Sequence, residues 1–199
     1  AGEPRGHQGS RAGRIQPDGH LGDWKTGPVA GMGDGISLRL GYDRLNLYAA
    51  FEINNRGPLK NSGRQWDKLF KTGAAVDLMF GLDSTAEAKR KAPVKGDKRL
   101  VMTVMDGKPI AVLYDAVGPG TSADDVWKVV SPVTSVDFDV VRRLPDVELA
   151  VQPTGRGYIV EALIPLQSIG LTISPDDPIR LDWGFLETDK DGTVVLSRT

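Results

Sequence analysis

A chain of 199 residues fits one large domain, and with 40% hydrophobic and 26% charged residues it has the makings of a real core. Its 25 basic and 26 acidic residues nearly cancel, so nothing in its charge points to nucleic acid or to an anionic membrane surface. The lack of cysteine excludes a disulfide framework, a thiolate zinc site and a cysteine nucleophile, and no apolar run reaches the ~18 residues that a membrane helix needs.

The chain starts Ala-Gly-Glu-Pro and passes through a Gly- and Arg-rich stretch to Arg14. Residues 1–14 read as a flexible linker or processed end, so a mature form or a piece of something larger is expected. Residues 15–199 are expected to form a single β domain. Leu38, Leu40 and Tyr42 alternate with Arg39 and Gly41, and the interval Asp43-Arg44-Leu45 leads hairpin-like into an apolar stretch from Asn46 to Ile53. Val76, Leu78 and Phe80 alternate with Asp77 and Met79. Leu100–Met105 and Pro109–Tyr114 face each other across Asp106-Gly107-Lys108, a strong hairpin signal. Strands follow at Val126–Val130, Val136–Val141, Val147–Val151, Tyr158–Ile164, Ile179–Phe185 and Val194–Ser197, the last two joined by an Asp- and Gly-built turn.

Helical signals are few. Pro165 and Gly170 bracket a turn or two, and Ser84–Lys91 has helix-forming residues without an apolar face. Met32-Gly33-Asp34-Gly35 reads as a loop. Many short strands with turn signals between them indicate a sandwich or barrel. Two long loops stand out, Asn54–Gly73 and Leu82–Lys98, and long loops in compact domains tend to carry function.

Catalytic signatures are absent. His7 falls in the linker and His20 at a turn, and there is no nucleophile elbow, phosphate loop or dinucleotide motif. Asp124-Asp125 and Asp176-Asp177 are adjacent carboxylates in loops, where calcium is the better use for them than acid/base catalysis. Asp189-Lys190-Asp191-Gly192 begins like a calcium loop but lacks the closing Glu. Trp24 reads as a core plug and Trp183 as core. Asp77 and Glu161 read as the solvent side of alternating strands, with a site on the open sheet face as the alternative.

Three segments together resemble the carbohydrate-binding modules of the ninth family and the wider DOMON-like domains. They are Ile15–Trp24 with its Asp-Gly turn and Asp-Trp pair, Tyr42–Ile53, and Gly157–Pro165 (Gly-Tyr-Ile-Val-Glu-Ala-Leu-Ile-Pro). Trp66 and the strand after Lys71-Thr72-Gly73 resemble the family's aromatic loop and the strand that follows it. Two positions depart from the family pattern. Ala74 stands where an acidic residue is usual, and the sequence stops at Thr199, about where a second clamp tryptophan and a last strand would come.

The resemblance implies an all-β, two-sheet antiparallel β-sandwich that binds sugar without catalysis, as a module of a larger exported or surface protein. The apolar face of a sugar would stack on Trp66, with Asn61, Arg64 and Gln65 as polar partners and Trp127 as a further aromatic. A carbohydrate oligomer or polymer, other modules of the parent protein, structural calcium and an extracytoplasmic location complete the expectation, with no nucleic acid and no membrane span. Two alternatives stay open: a structural or adhesive module without a ligand, and a haem-binding electron carrier of the same fold using Met79, Met102 or Met105.

Overall fold

A computed structural model describes residues 15–25, 28–87, 90, 93–116, 127–130, 135–174 and 179–199, and of 127–130, 135–137 and 139 it describes the backbone alone. The expected linker, His7, Val126 and the pairs Asp124-Asp125 and Asp176-Asp177 lie outside these residues. The fold class read from the sequence holds: the described chain is almost wholly β, in two antiparallel sheets. It divides into two compact units, Ala1–Arg56 with Asp146–Gly170, and Gly57–Pro145 with Leu171–Thr199.

The first unit carries a five-stranded sheet in the order β1-β2-β3-β10-β9. Its strands are β1 (Val29–Gly33), β2 (Ile36–Tyr42), β3 (Asn46–Asn54), β9 (Glu148–Pro153) and β10 (Gly157–Pro165). β3 and β10 pair along their whole length, from Gly157 opposite Asn54 to Pro165 opposite Asn46. Both are central strands rich in buried apolar residues, among them Phe51, Ile53, Val160 and Ile164 with no exposure. Ala50 lies opposite Glu161 in this register. The small side chain leaves space on that face, and Ile15 and Trp24 pack there with Tyr48 and Ala50. Trp24 is thus the core plug expected of it. After β10 comes a single helical turn, α1 (Leu166–Ile169), ended by Gly170 at φ 64°, as the Pro and Gly signals indicate.

The second unit carries a seven-stranded sheet in the order β12-β11-β4-β5-β6-β8-β7. Its strands are β4 (Ala75–Gly81), β5 (Asp97–Met105), β6 (Lys108–Ala116), β7 (Trp127–Val130), β8 (Ser135–Arg143), β11 (Arg180–Thr188) and β12 (Val195–Arg198). β5 and β6 meet at a two-residue turn, Asp106 and Gly107 both at positive φ, which matches the natural twist of a hairpin. Val101, Val112, Tyr114, Phe138, Val141, Leu186 and Ala75 form one apolar cluster in this unit.

Three expectations need correction. Met32–Gly35 is no plain loop: Val29–Gly33 forms β1, hairpinned to β2 through Asp34 and Gly35. Every residue of β1 is exposed, so it has no alternation for a sequence to reveal. Trp183 is half-buried, and the fully covered positions of its strand are Gly184–Leu186. Asp77 and Glu161 are not solvent-facing at all, since each has 0% exposure. The described part of Ser84–Lys91 contains no helix.

Candidate functional site

The long loop from Gly57 to Ala74 folds over part of the seven-stranded sheet. A 3-10 helix, Trp66–Lys71, drives Leu69 to zero exposure against the Tyr114–Val141 cluster, a burial that stabilises by about 2 kcal/mol. The Tyr114 hydroxyl donates to the Asp67 carbonyl at 3.0 Å and pins the helix to β6. Burial raises the Tyr114 phenol far above its ordinary range, so it stays a donor. Phe70 meets Tyr114 edge-on at 5.0 Å between centroids and Phe138 at 6.4 Å, both within the spacing favoured by aromatic pairs.

Of the residues picked from the sequence, four share this loop. Trp66 is half-buried at the start of the helix, and the Arg143 guanidinium from β8 lies 5.3 Å from its ring. Arg64 and Gln65 are exposed beside it. Asn61 is 8% exposed and serves the loop itself. Its amide donates to the Leu69 carbonyl at 2.7 Å, and its Oδ1 accepts from Gly63 N and Thr72 Oγ1, both at 3.0 Å. Trp127 sits in the edge strand β7, in register with Phe138, and of its side chain nothing is described.

Arg99, Arg198 and Asp182, which sequence reasoning missed, lie on the strands beneath, around Asp77. Asp77, in the middle of β4, is wholly buried yet receives two guanidinium groups. Arg99 Nη2 donates to its Oδ2 at 2.5 Å and Nε at 3.0 Å. Arg198 Nη2 donates to its Oδ1 at 2.9 Å and also reaches Asp182 Oδ2 at 3.1 Å. A buried carboxylate without such partners would be costly. Burial works against the charge on Arg198, but Asp77 and Asp182 outweigh it and raise its pKa. Arg99 and Arg198 keep 19% and 29% of their side chains exposed and Asp182 keeps 66%, so solvent reaches the network from its cationic side.

Gly184 makes the arrangement possible. It stands opposite Asp77 in the β4–β11 register. A Cβ there would come within 3.0 Å of the Arg198 guanidinium and 2.5 Å of the Thr199 carbonyl oxygen. Arg99 then links the ionic network to the aromatic one, since its guanidinium also lies 5.3 Å from the Phe70 ring centroid. The main trace of this in the sequence was an aspartate in an apolar strand, and its partners come from β5 and β12.

The first unit has its own buried carboxylate and its own concavity. Glu161 Oε1 accepts from Trp24 Nε1 at 2.6 Å, and Oε2 from Gly19 N at 2.6 Å and Asp18 N at 3.1 Å. Gly19 can turn its N–H there because it adopts φ 85°, where a side chain would strike Gln152. Burial raises the Glu161 pKa, and the three N–H bonds offset only part of that. A cavity of about 560 Å³ is lined by Asp43, Asn46, Tyr48, Asp146, Glu148, Leu163 and Pro165. Two of its three carboxylates serve local structure, with Asp43 accepting from Leu45 N, Asn46 N and Tyr48 Oη and Asp146 from Ser168.

Among the described residues no group of three or more His, Asp or Glu side chains is placed to hold a metal ion, and no described helix is long and apolar enough to cross a membrane. Compared with protein families and with curated proteins, the chain finds no match in either.

Proposed function

We propose that the chain is a non-catalytic carbohydrate-binding module of a larger, exported protein, and that its site is the face of the seven-stranded sheet around Trp66, Phe70, Arg99, Asp77 and Arg198. One observation carries this reading: Arg99 belongs at once to an aromatic cluster and to a partly solvated carboxylate–guanidinium network. Saccharides ask for that combination. The C–H face of a pyranose buries against a flat ring, while its vicinal hydroxyls need fixed donors and acceptors close by. Arg99 and Arg198 supply forked donors held in place by Asp77, and Asp182 supplies an exposed acceptor.

The resemblance to ninth-family and DOMON-like domains favours the same reading through Trp66. Relative to the residues picked from sequence, the polar half of the proposed site moves from Asn61 to Arg99, Arg198 and Asp182, because the Asn61 amide is already used inside the loop.

The test is a titration with a panel of mono- and oligosaccharides, followed by intrinsic tryptophan fluorescence, on the wild type, Trp66→Ala and Arg99→Met. A saturable change in the wild type that disappears in both variants supports the reading. A flat response across the panel, with the protein folded, contradicts it and leaves a structural or adhesive module as the better account.

A further inference from the structure

The charges around this same face are not balanced. Asp77 and Asp182 are matched by Arg99 and Arg198. Lys71 and Arg143 have no carboxylate partner among the described residues. The Lys71 ammonium is enclosed, 5.8 Å from the Phe70 centroid, and makes no hydrogen bond to any described group. Arg143 is exposed, with its guanidinium at the Trp66 ring. Lys68, half-buried on the same 3-10 helix, adds to the positive charge felt by Lys71.

We infer that the face recognises acidic saccharides, with Lys71 and Arg143 taking the carboxylate or sulfate group of a sugar whose ring packs at Phe70 and Trp66. The inference rests on the carbohydrate reading above and narrows its ligand class.

Three considerations support it. An enclosed ammonium with all three donors unused is an unsatisfied group that an anionic oxygen would complete. Burial and the Lys68 charge hold the Lys71 pKa below its ordinary value, a penalty that an incoming anion relieves. A neutral sugar would satisfy its hydroxyls at Arg99, Arg198 and Asp182 and leave Lys71 and Arg143 uncompensated. The lysine stem is flexible, so its head group can follow the ligand without movement of the sheet.

The experiment compares a galacturonate oligomer with its carboxyl-reduced galactose counterpart, both titrated against the full chain by tryptophan fluorescence at low and at high salt. The acidic oligomer is expected to bind about tenfold tighter at low salt, the scale of one charge-assisted hydrogen bond, and the preference should shrink as salt screens it. Lys71→Gln and Arg143→Gln should each reduce the preference while keeping affinity for the neutral oligomer. Arg143 is exposed, so its variant stays informative if Lys71→Gln unfolds. Equal affinities in the wild type would overturn the inference and leave the carbohydrate reading standing. A preference that survives both variants would overturn the assignment to these residues. No binding of either oligomer would overturn both readings.

Discussion

Glu161 and Asp77 are both acidic, both in mid-strand and both without exposure, yet they are held in opposite ways. Glu161 accepts only neutral N–H donors, and two of its three partners are backbone amides of the Ile15–Trp24 segment. It fastens that segment to β10 and opens to nothing. Asp77 is bonded by two arginines whose outer surfaces stay wet, and those arginines adjoin an aromatic cluster and a further, exposed carboxylate. One buried acid closes a structure; the other holds donors ready on a surface. Burial of an acid therefore does not itself mark a site. What distinguishes the two is where the partners' remaining hydrogen-bonding capacity points.

Substitutions should separate the two roles. Glu161→Ala strands the Trp24 indole N–H and two backbone amides, each a buried donor worth about 1 kcal/mol or more when unpaired. A loss of about 3 kcal/mol in urea unfolding is expected, with saccharide affinity of the surviving folded fraction unchanged. Asp77→Asn should cost less, about 2 kcal/mol, because Arg99 and Arg198 can rehydrate where a deep ion pair could not. Its saccharide affinity should nevertheless fall strongly, since the arginines lose the acceptor that fixes them. Should Asp77→Asn prove the costlier change and leave binding intact, the comparison would be reversed.

Gly184→Ala sharpens the point with a smaller effect. The added methyl group crowds Arg198 and the Thr199 carbonyl, so about 1 kcal/mol of stability is expected to be lost, together with weaker binding. Calorimetry on the variant reads both.

The smallest effect is the pH dependence. Glu161 has a native pKa above the unfolded value of about 4.3. The native state thus holds the extra proton, and the stabilising contribution is whole below about pH 4.3 and lost as pH rises through the native value. Denaturant unfolding of wild type and Glu161→Gln across that range should show the difference between them declining with rising pH. Asp189 runs the other way. The Thr193 hydroxyl and amide, with the Val194 amide, hold its carboxyl below the usual range. Its contribution is present above the unfolded value near 3.9 and fades as pH falls further. Asp189→Ala should flatten the acid limb of the same titration.

Much of the fold was legible because its central strands alternate or run apolar between turn residues. Leu47–Ile53, Val76–Phe80 and Tyr158–Ile164 all fall inside observed strands. Val29–Gly33 was illegible because an exposed edge strand has no buried face to pattern it. The misreading of Asp77 and Glu161 has a related cause. Alternation says which residues share a face and is silent on whether that face is covered. Trp24 lies 137 residues from the Glu161 it caps, and Arg198 lies 121 residues from Asp77. Such pairings come from strand order and register, which a local pattern does not encode. The loop was legible only as unusual: Trp66 and Phe70 stood out as aromatics among polar residues, while Leu69, which seats the loop, gave no separate signal. The nearest usable clue to the ionic network was an acid in an apolar strand, read together with the glycine of Leu181-Asp182-Trp183-Gly184-Phe185.

The most direct test of the central claim is the saccharide titration of Arg198→Gln set beside its thermal unfolding. Arg198 is part exposed on an edge strand, and Arg99 still pairs the buried Asp77 when it is lost, so Arg198→Gln should cost about 1 kcal/mol, less than Glu161→Ala, while removing a forked donor from the proposed site. A clear loss of saccharide affinity is expected, with a fall in Tm well short of that of Glu161→Ala. Unchanged affinity, or a collapse in Tm matching that of Glu161→Ala, would show that the Asp77 network is scaffolding as Glu161 is, and would contradict it.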